Sequence, residues 1–131
     1  NTQRRYRAKL YRELLANVDG ITLPSRGLND GHVFHQFVIR VHDGKRDSLR
    51  AFLAERGIET RCHYARPVPM ERASWGRGLL SSQREEPVDL WPNATKACAE
   101  VLSLPMYPEM PLEHCEKVSE AIHDFSASGA R

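Results

Sequence analysis

From about residue 2 to residue 18, Tyr6, Leu10, Leu14 and Val18 recur at steps of four, with Tyr11 and Leu15 beside them. Arg4, Arg5, Arg7, Lys9, Arg12 and Glu13 stand among the remaining positions, which is the pattern of one apolar stripe on an α-helix, and Gly20 follows as a stop. Between about 33 and 41 the period shortens to two. Val33, Phe37, Ile39 and Val41 alternate with Gln36 and Arg40, and β-branched and aromatic residues prevail, as in a strand. His35 falls on the apolar side of that alternation, where a histidine is ordinarily a satisfied core residue. Asp47 is placed to cap a short helix in which Leu49, Phe52 and Leu53 share a face, and Gly57 supplies the left-handed residue that ends it. A second, shorter strand is expected from Glu59 to Tyr64, because the chain must return to its sheet.

From about 65 to 92 the chain carries Pro67, Pro69, Gly76, Gly78, Pro87 and Pro92 with little periodicity, and loops of this length are usually functional or mobile. Ala94, Ala97, Cys98, Val101 and Leu102 then make a helical stripe. Pro105 and Pro108 bracket a short extended piece, and Cys115, Val118, Ile122 and Phe125 mark a last helix. Residues 1–125 are thus expected to form one α+β domain, a small antiparallel or mixed sheet covered by helices, followed by a frayed tail over 126–131.

Composition narrows this picture. A chain of 131 residues with 40% hydrophobic and 27% charged residues is globular and of one-domain size. No apolar run approaches the roughly 20 residues of a membrane helix, and the basic N-terminus lacks the apolar stretch of a signal peptide. A soluble cytoplasmic protein with no membrane partner is expected. Cys62, Cys98 and Cys115 contain no C-x-x-C pair, so buried thiols are expected rather than a disulfide framework or zinc knuckle. The net charge of +2 hides an asymmetry: Arg4, Arg5, Arg7, Lys9 and Arg12 face only Glu13 in residues 1–13, whereas residues 109–124 hold five acids against Lys117.

The chemistry inventory is incomplete. His32 and His35 stand three apart in a predicted strand and point to opposite faces, and adjacent Cys62 and His63 fail as a ligand pair for the same reason, so no metal site is expected. Gly76-Arg77-Gly78 is too little for a phosphate loop, and no G-x-S-x-G turn occurs. The basic first helix lacks interleaved aromatic platforms, which argues for a solvated face over nucleic-acid binding.

An ordered series of segments spans nearly the whole chain. It runs from Asn1-Thr2-Gln3-Arg4-Arg5 through His32-Val33-Phe34-His35-Gln36-Phe37-Val38-Ile39-Arg40, Arg46-Asp47-Ser48-Leu49, Gly57-Ile58-Glu59-Thr60 and His63-Tyr64. It closes on Val101-Leu102-Ser103-Leu104-Pro105-Met106-Tyr107-Pro108. In order and spacing this series resembles the C-terminal small domain of the DegT/DnrJ/EryC1/StrS family, the pyridoxal-phosphate-dependent sugar aminotransferases.

The resemblance implies a fold like that of the small domain of fold-type I aminotransferases. It also implies a complete enzyme, typically a homodimer, that moves an amino group from an amino acid, commonly glutamate, to a keto group on a nucleotide-linked sugar. The cofactor, pyridoxal 5′-phosphate, would be held by a large domain that supplies the Schiff-base lysine. Lys9, Lys45, Lys96 and Lys117 match no such motif, so no catalytic or cofactor-binding residue is expected in this chain, and the chain alone is expected to be inactive. Asn1 in place of Met accords with a chain that begins inside a longer protein. The resemblance implies substrate-side hydrogen bonding at His63 and Tyr64, with His35 as a further candidate; the alternative for His63 and Tyr64 is that they anchor the loop to the sheet. The family pattern there, approximately H-Y-P-x-P-L-H-x-Q, is met by His63, Tyr64 and Pro67, whereas Ala65, Pro69 and Glu71 depart from it. The alternative from a different class is a non-catalytic dimerisation or binding module.

Overall fold

The computed structural model describes residues 1–25, 31–68 and 91–129. The expected loop from 65 to 92 therefore lies mostly outside the described residues, together with Pro69 and Glu71. Among the described residues seven elements follow one another: helix α1 (Thr2–Leu14), strands β1 (Ile21–Thr22) and β2 (Phe37–Val41), helices α2 (Arg46–Glu55) and α3 (Pro92–Glu100), strand β3 (Val101–Leu104) and helix α4 (Leu112–Ala127). The sheet has the order β1-β2-β3 and is antiparallel throughout, as the α+β expectation requires.

Strand pairing sets the inner face. Phe37 lies opposite Leu104 and Ile39 opposite Leu102, and all four side chains are buried. Period-two alternation sends Val38 and Arg40 to the other side. On the inner face α1, α2 and α4 close one core, in which Tyr11 stacks on Phe37 at 5.0 Å between ring centroids and Phe52 meets Phe125 edge-on at 5.4 Å. On the other side, the buried Glu100 at the end of α3 meets Arg40 at 2.7 Å and His42 at 3.5 Å. Burial pushes the Glu100 carboxyl up, but the hydrogen bond and charge of Arg40, with Lys96 and His42 behind it, outweigh burial and hold it below the ordinary carboxylate range.

Several expected boundaries move, each for a local reason. The first helix ends at Leu14 rather than near Val18, and its C-terminal carbonyl is met by the His123 ring at 2.8 Å. β1 carries only two residues and so left no periodic signal. β2 starts at Phe37, not near Val33. Its partner β3 is followed by Pro105, which has no N–H to extend the ladder, and Phe34 takes a positive φ of 48°. Val101 and Leu102, expected in the helical stripe, are extended and open β3, with Leu102 facing Ile39. Lys45, not Asp47, occupies the cap position of α2, and Asp47 instead accepts from Arg46 at 2.6 Å. The strand expected over 59–64 reduces to one bridge, in which Arg61 and Ser103 exchange backbone hydrogen bonds of 3.1 and 2.8 Å. α4 continues through Ser126 to Ala127, and the Ser126 hydroxyl donates to the Asp19 carbonyl at 3.3 Å, so order persists two residues past the boundary expected at Phe125.

The end of α2 behaves as its sequence foretells. Gly57 has φ +72°, its N–H donates to the Ala54 carbonyl, and the Ile58 N–H donates to the Leu53 carbonyl, both at 2.9 Å. Those two bonds are a Schellman closure with Gly57 at the left-handed position. A Cβ added at Gly57 meets nothing within 4 Å, so an alanine there suffers backbone strain alone. Gly57→Ala is therefore expected to destabilise the domain by about 1–2 kcal/mol in urea unfolding, with the slope of the transition unchanged.

Candidate functional site

Two side chains of α1 fix the connection between β3 and α4. The buried Arg7 donates from Nε to the Met110 carbonyl at 2.7 Å and from Nη1 to the Gln3 carbonyl and Oε1 at 2.9 Å. Four residues on, the same helix face presents Tyr11, whose hydroxyl donates to the Pro105 carbonyl at 3.0 Å. Both ends of the 105–110 stretch are thereby tied to one helix. Burial above all, with Cys115 adding to it, raises the Tyr11 hydroxyl far above its ordinary 10.0. Burial likewise pushes the Cys115 thiol up, against the opposing pull of Tyr11 and of the Arg7 charge.

The first turn of α1 performs a second task. Arg4 Nη1 stands 3.0 Å from His35 Nδ1 and donates to the His35 carbonyl at 3.3 Å, and Arg5 Nε donates to the His32 carbonyl at 3.2 Å. The His32 ring in turn accepts the Phe34 N–H at 3.0 Å. Side chains, rather than sheet pairing, thus hold residues 32–35.

Between these anchored segments and the end of α2 opens a groove of about 600 Å³, within the range of small-molecule sites. Its apolar part comes from Ile58, Leu104, Pro105, Met106, Met110 and Val118. Among the described residues its charged part comes from Arg4, Arg56, Arg61 and Lys117 and the one carboxylate Glu59, together with the His35, His63 and His114 rings. Glu59 is engaged by Arg61 at 2.9 Å. Arg56 stacks on Phe52, its guanidinium carbon 3.6 Å from the ring centroid.

The site residues expected from sequence divide here. His35 and His63 reach the same groove. His35 is not the core residue that its alternation suggested: it lies before β2, exposed, and its ring meets Arg4. Tyr64 is 65% exposed and does not line the groove. Arg4, Arg56, His114 and Lys117 are the residues that sequence reasoning passed over. Arg4 was hidden among the basic residues of a solvated face. Lys117, the one lysine in an acidic stretch, did carry a signal, since Lys117 and Val118 stand three and four residues after His114 and so flank one helix face with it.

The described residues do not fit a pyridoxal phosphate site. Lys9 pairs with Glu13 and Lys96 with Glu100, Lys45 caps α2, and Lys117 on the groove has no free carboxylate beside it for a pyridinium nitrogen. Among the described residues no group of three or more His, Cys, Asp or Glu side chains is placed to hold a metal ion, and no helix is long and apolar enough to cross a membrane. Cys98 and Cys115 are buried and Cys62 is half-buried, all as free thiols.

Residues 1–123 match the model of the DegT/DnrJ/EryC1/StrS aminotransferase family. A pleiotropic regulatory protein of Geobacillus stearothermophilus is 39% identical over 94% of this chain and 31% of its own length. The dTDP-3-amino-3,6-dideoxy-alpha-D-galactopyranose transaminase of Aneurinibacillus thermoaerophilus is 34% identical over 95% of the chain and 31% of its own length. Among solved structures, Streptomyces venezuelae DesV in complex with a ketimine intermediate superposes with a TM-score of 0.82 at 31% identity. It covers 95% of this chain and 31% of its own. The chain spans about one third of the length of the curated relatives that it matches.

The Tyr11 environment gives a test with a definite sign. The folded chain keeps Tyr11 neutral while the unfolded chain ionises it, so its contribution is complete below pH 10 and is lost as pH rises beyond that. Tyr11→Phe is expected to cost about 1 kcal/mol at neutral pH through the lost bond to Pro105. The gap to the unsubstituted chain should close as unfolding is followed from pH 9 to pH 11, and a gap constant across that range would contradict the assignment.

Proposed function

Because the chain belongs to the DegT/DnrJ/EryC1/StrS aminotransferase family, we propose that it is the C-terminal portion of a pyridoxal-phosphate-dependent sugar aminotransferase. The complete polypeptide would move an amino group from an amino acid, glutamate first among the candidates, to a keto group on a nucleotide-linked sugar. The observation that carries this reading is the match over residues 1–123, joined by transaminases of nucleotide-linked sugars to which nearly the whole chain aligns. When bound, the cofactor supplies the electron sink for the exchange of the amino group. The lysine and acid it needs would come from the remaining two thirds of such a polypeptide.

What this chain would contribute is part of the substrate wall and the surface on which a large domain closes. His35 and His63, whose rings can donate or accept according to tautomer, border the groove and suit hydroxyl groups of a sugar. Tyr64 stands one residue away and exposed, where an incoming large domain would cover it. Tyr6, Val33, Val68, Tyr107 and Leu112 are exposed as well. The same residues also suit the second reading, a dimerisation or binding module, and we expect the complete polypeptide to act as a homodimer in the cytoplasm. Sedimentation of the 131-residue chain separates the two readings, since a specific stable dimer of the chain alone favours the module.

The direct test pairs two proteins. Mixed with pyridoxal phosphate, the 131-residue chain should give no internal-aldimine absorbance and no transamination, whereas the complete polypeptide should give both. His63→Ala in the complete polypeptide should raise KM for the keto-sugar about tenfold while changing KM for glutamate by less than twofold, an effect of about 1.4 kcal/mol on sugar binding. An aldimine formed by these 131 residues would overturn the reading.

A further inference from the structure

Which nitrogen of His35 carries the proton is decided by Arg4. A guanidinium has N–H donors, no acceptor, and stays protonated in proteins. At 3.0 Å from Arg4 Nη1, His35 Nδ1 is therefore the acceptor. The two hydrogens of Nη1 are divided between two acceptors of one residue, this ring nitrogen and the His35 carbonyl at 3.3 Å. A ring whose Nδ1 accepts is neutral and carries its proton on Nε2. The guanidinium is mounted on regular backbone: Arg4 stands in the first turn of α1, where the Arg5 N–H donates to the Asn1 carbonyl at 3.0 Å. The segment that bears His35 is fixed by other bonds. The Phe34 N–H donates to His32 Nδ1 at 3.0 Å and the two rings lie 4.1 Å apart between centroids, which closes a local turn around the positive φ of Phe34. Arg5 holds the His32 carbonyl, so neighbouring arginines of one helix grip both ends of residues 32–35.

His35 borders the groove, and with Nδ1 engaged by Arg4 its Nε2–H is the polar group of the ring left to meet a ligand. We infer that Arg4 is a positioning residue that makes His35 a dedicated hydrogen-bond donor to the groove, selective for an acceptor oxygen. A neutral imidazole free to exchange tautomers can answer a donor or an acceptor. Fixing the tautomer removes one of those options before any ligand arrives, and fixing the ring direction lowers the ordering cost of binding. A keto or hydroxyl oxygen opposite Nε2 is answered by the bond. An ammonium in the same place sets N–H against N–H and is rejected. That the oxygen belongs to a sugar rests on the aminotransferase reading, whereas the tautomer stands on the contact with Arg4 alone.

The tautomer is read from the imidazole nitrogen shifts of the 15N-labelled 131-residue chain, under alkaline conditions that keep imidazoles neutral. His35 should show an unprotonated Nδ1 and a protonated Nε2. Arg4→Met, which keeps the length of the side chain and removes its donors, should draw the two shifts toward each other as the tautomers mix. Kinetics of the complete polypeptide give a second reading that does not depend on Arg4. A glutamine in place of His35 sets an amide N–H near the position of Nε2, and an asparagine sets one near Nδ1. His35→Asn should therefore raise KM for the keto-sugar about fivefold more than His35→Gln does, with KM for the amino donor the same in both. A proton on His35 Nδ1, nitrogen shifts unmoved by Arg4→Met, or equal KM in the two His35 variants would each overturn the assignment. Equal KM in an enzyme that still transaminates sinks this inference and leaves the proposed function standing. The expected nitrogen shifts in a chain whose complete polypeptide transaminates nothing uphold the hold of Arg4 on the ring and overturn the proposed function.

Discussion

The grip of α1 on the connection between β3 and α4 is the contact from which the rest of the site follows. Among the described residues Arg7 is a buried cation with no carboxylate against it: its hydrogen bonds go to the Met110 and Gln3 carbonyls and to the Gln3 side chain. Burying an ionised group is tolerated only when its donors are answered, and carbonyl dipoles answer these. One turn away, Tyr11 secures the Pro105 carbonyl and stacks on Phe37. The irregular 105–110 stretch thus borrows rigidity from a helix, although Pro105 and Pro108 leave it few hydrogen bonds of its own. Because Pro105, Met106 and Met110 line the groove, a loosened α1 would deform the floor before it unfolded the sheet.

The same helix joins the core to the chemistry. Its inner face packs Ala8, Tyr11 and Leu15, while its first turn holds His32 and His35 through Arg5 and Arg4. Arg4, which orients one groove histidine, is itself one of the groove's cations. Among the described residues, cations from three elements meet at this groove, although the chain as a whole carries only +2. An electric field confined to a groove with apolar walls is stronger and more directional than the same charges spread over a surface.

What could be read from the sequence follows from how each element carries its signal. α1 and α4 are long enough for four apolar positions to repeat, so they stand out, and Gly57 declares the end of α2 through the only residue type that takes φ +72° without strain. β1 and the Arg61 bridge are too short for any period to register. Val101 and Leu102 fit a helical stripe and a strand equally well over so few residues, and only pairing with β2 decides between them. The groove is legible in part: His63 comes with a motif, and His35 is assigned to the core by its alternation but to the substrate side by the resemblance. Arg4, Arg56 and Lys117 lie 113 residues apart at the extremes, so only the fold brings them to one place.

The proposal that the groove clamped by α1 forms part of the wall for a nucleotide-linked sugar is tested most directly by a crystal structure. The specimen would be the complete polypeptide that contains this chain, soaked or grown with a nucleotide-linked amino sugar. Sugar oxygens about 3 Å from His35 or His63, with 105–110 still tied to Arg7 and Tyr11, is the expected result. A product bound elsewhere, with this groove occupied by side chains of another domain, would contradict it.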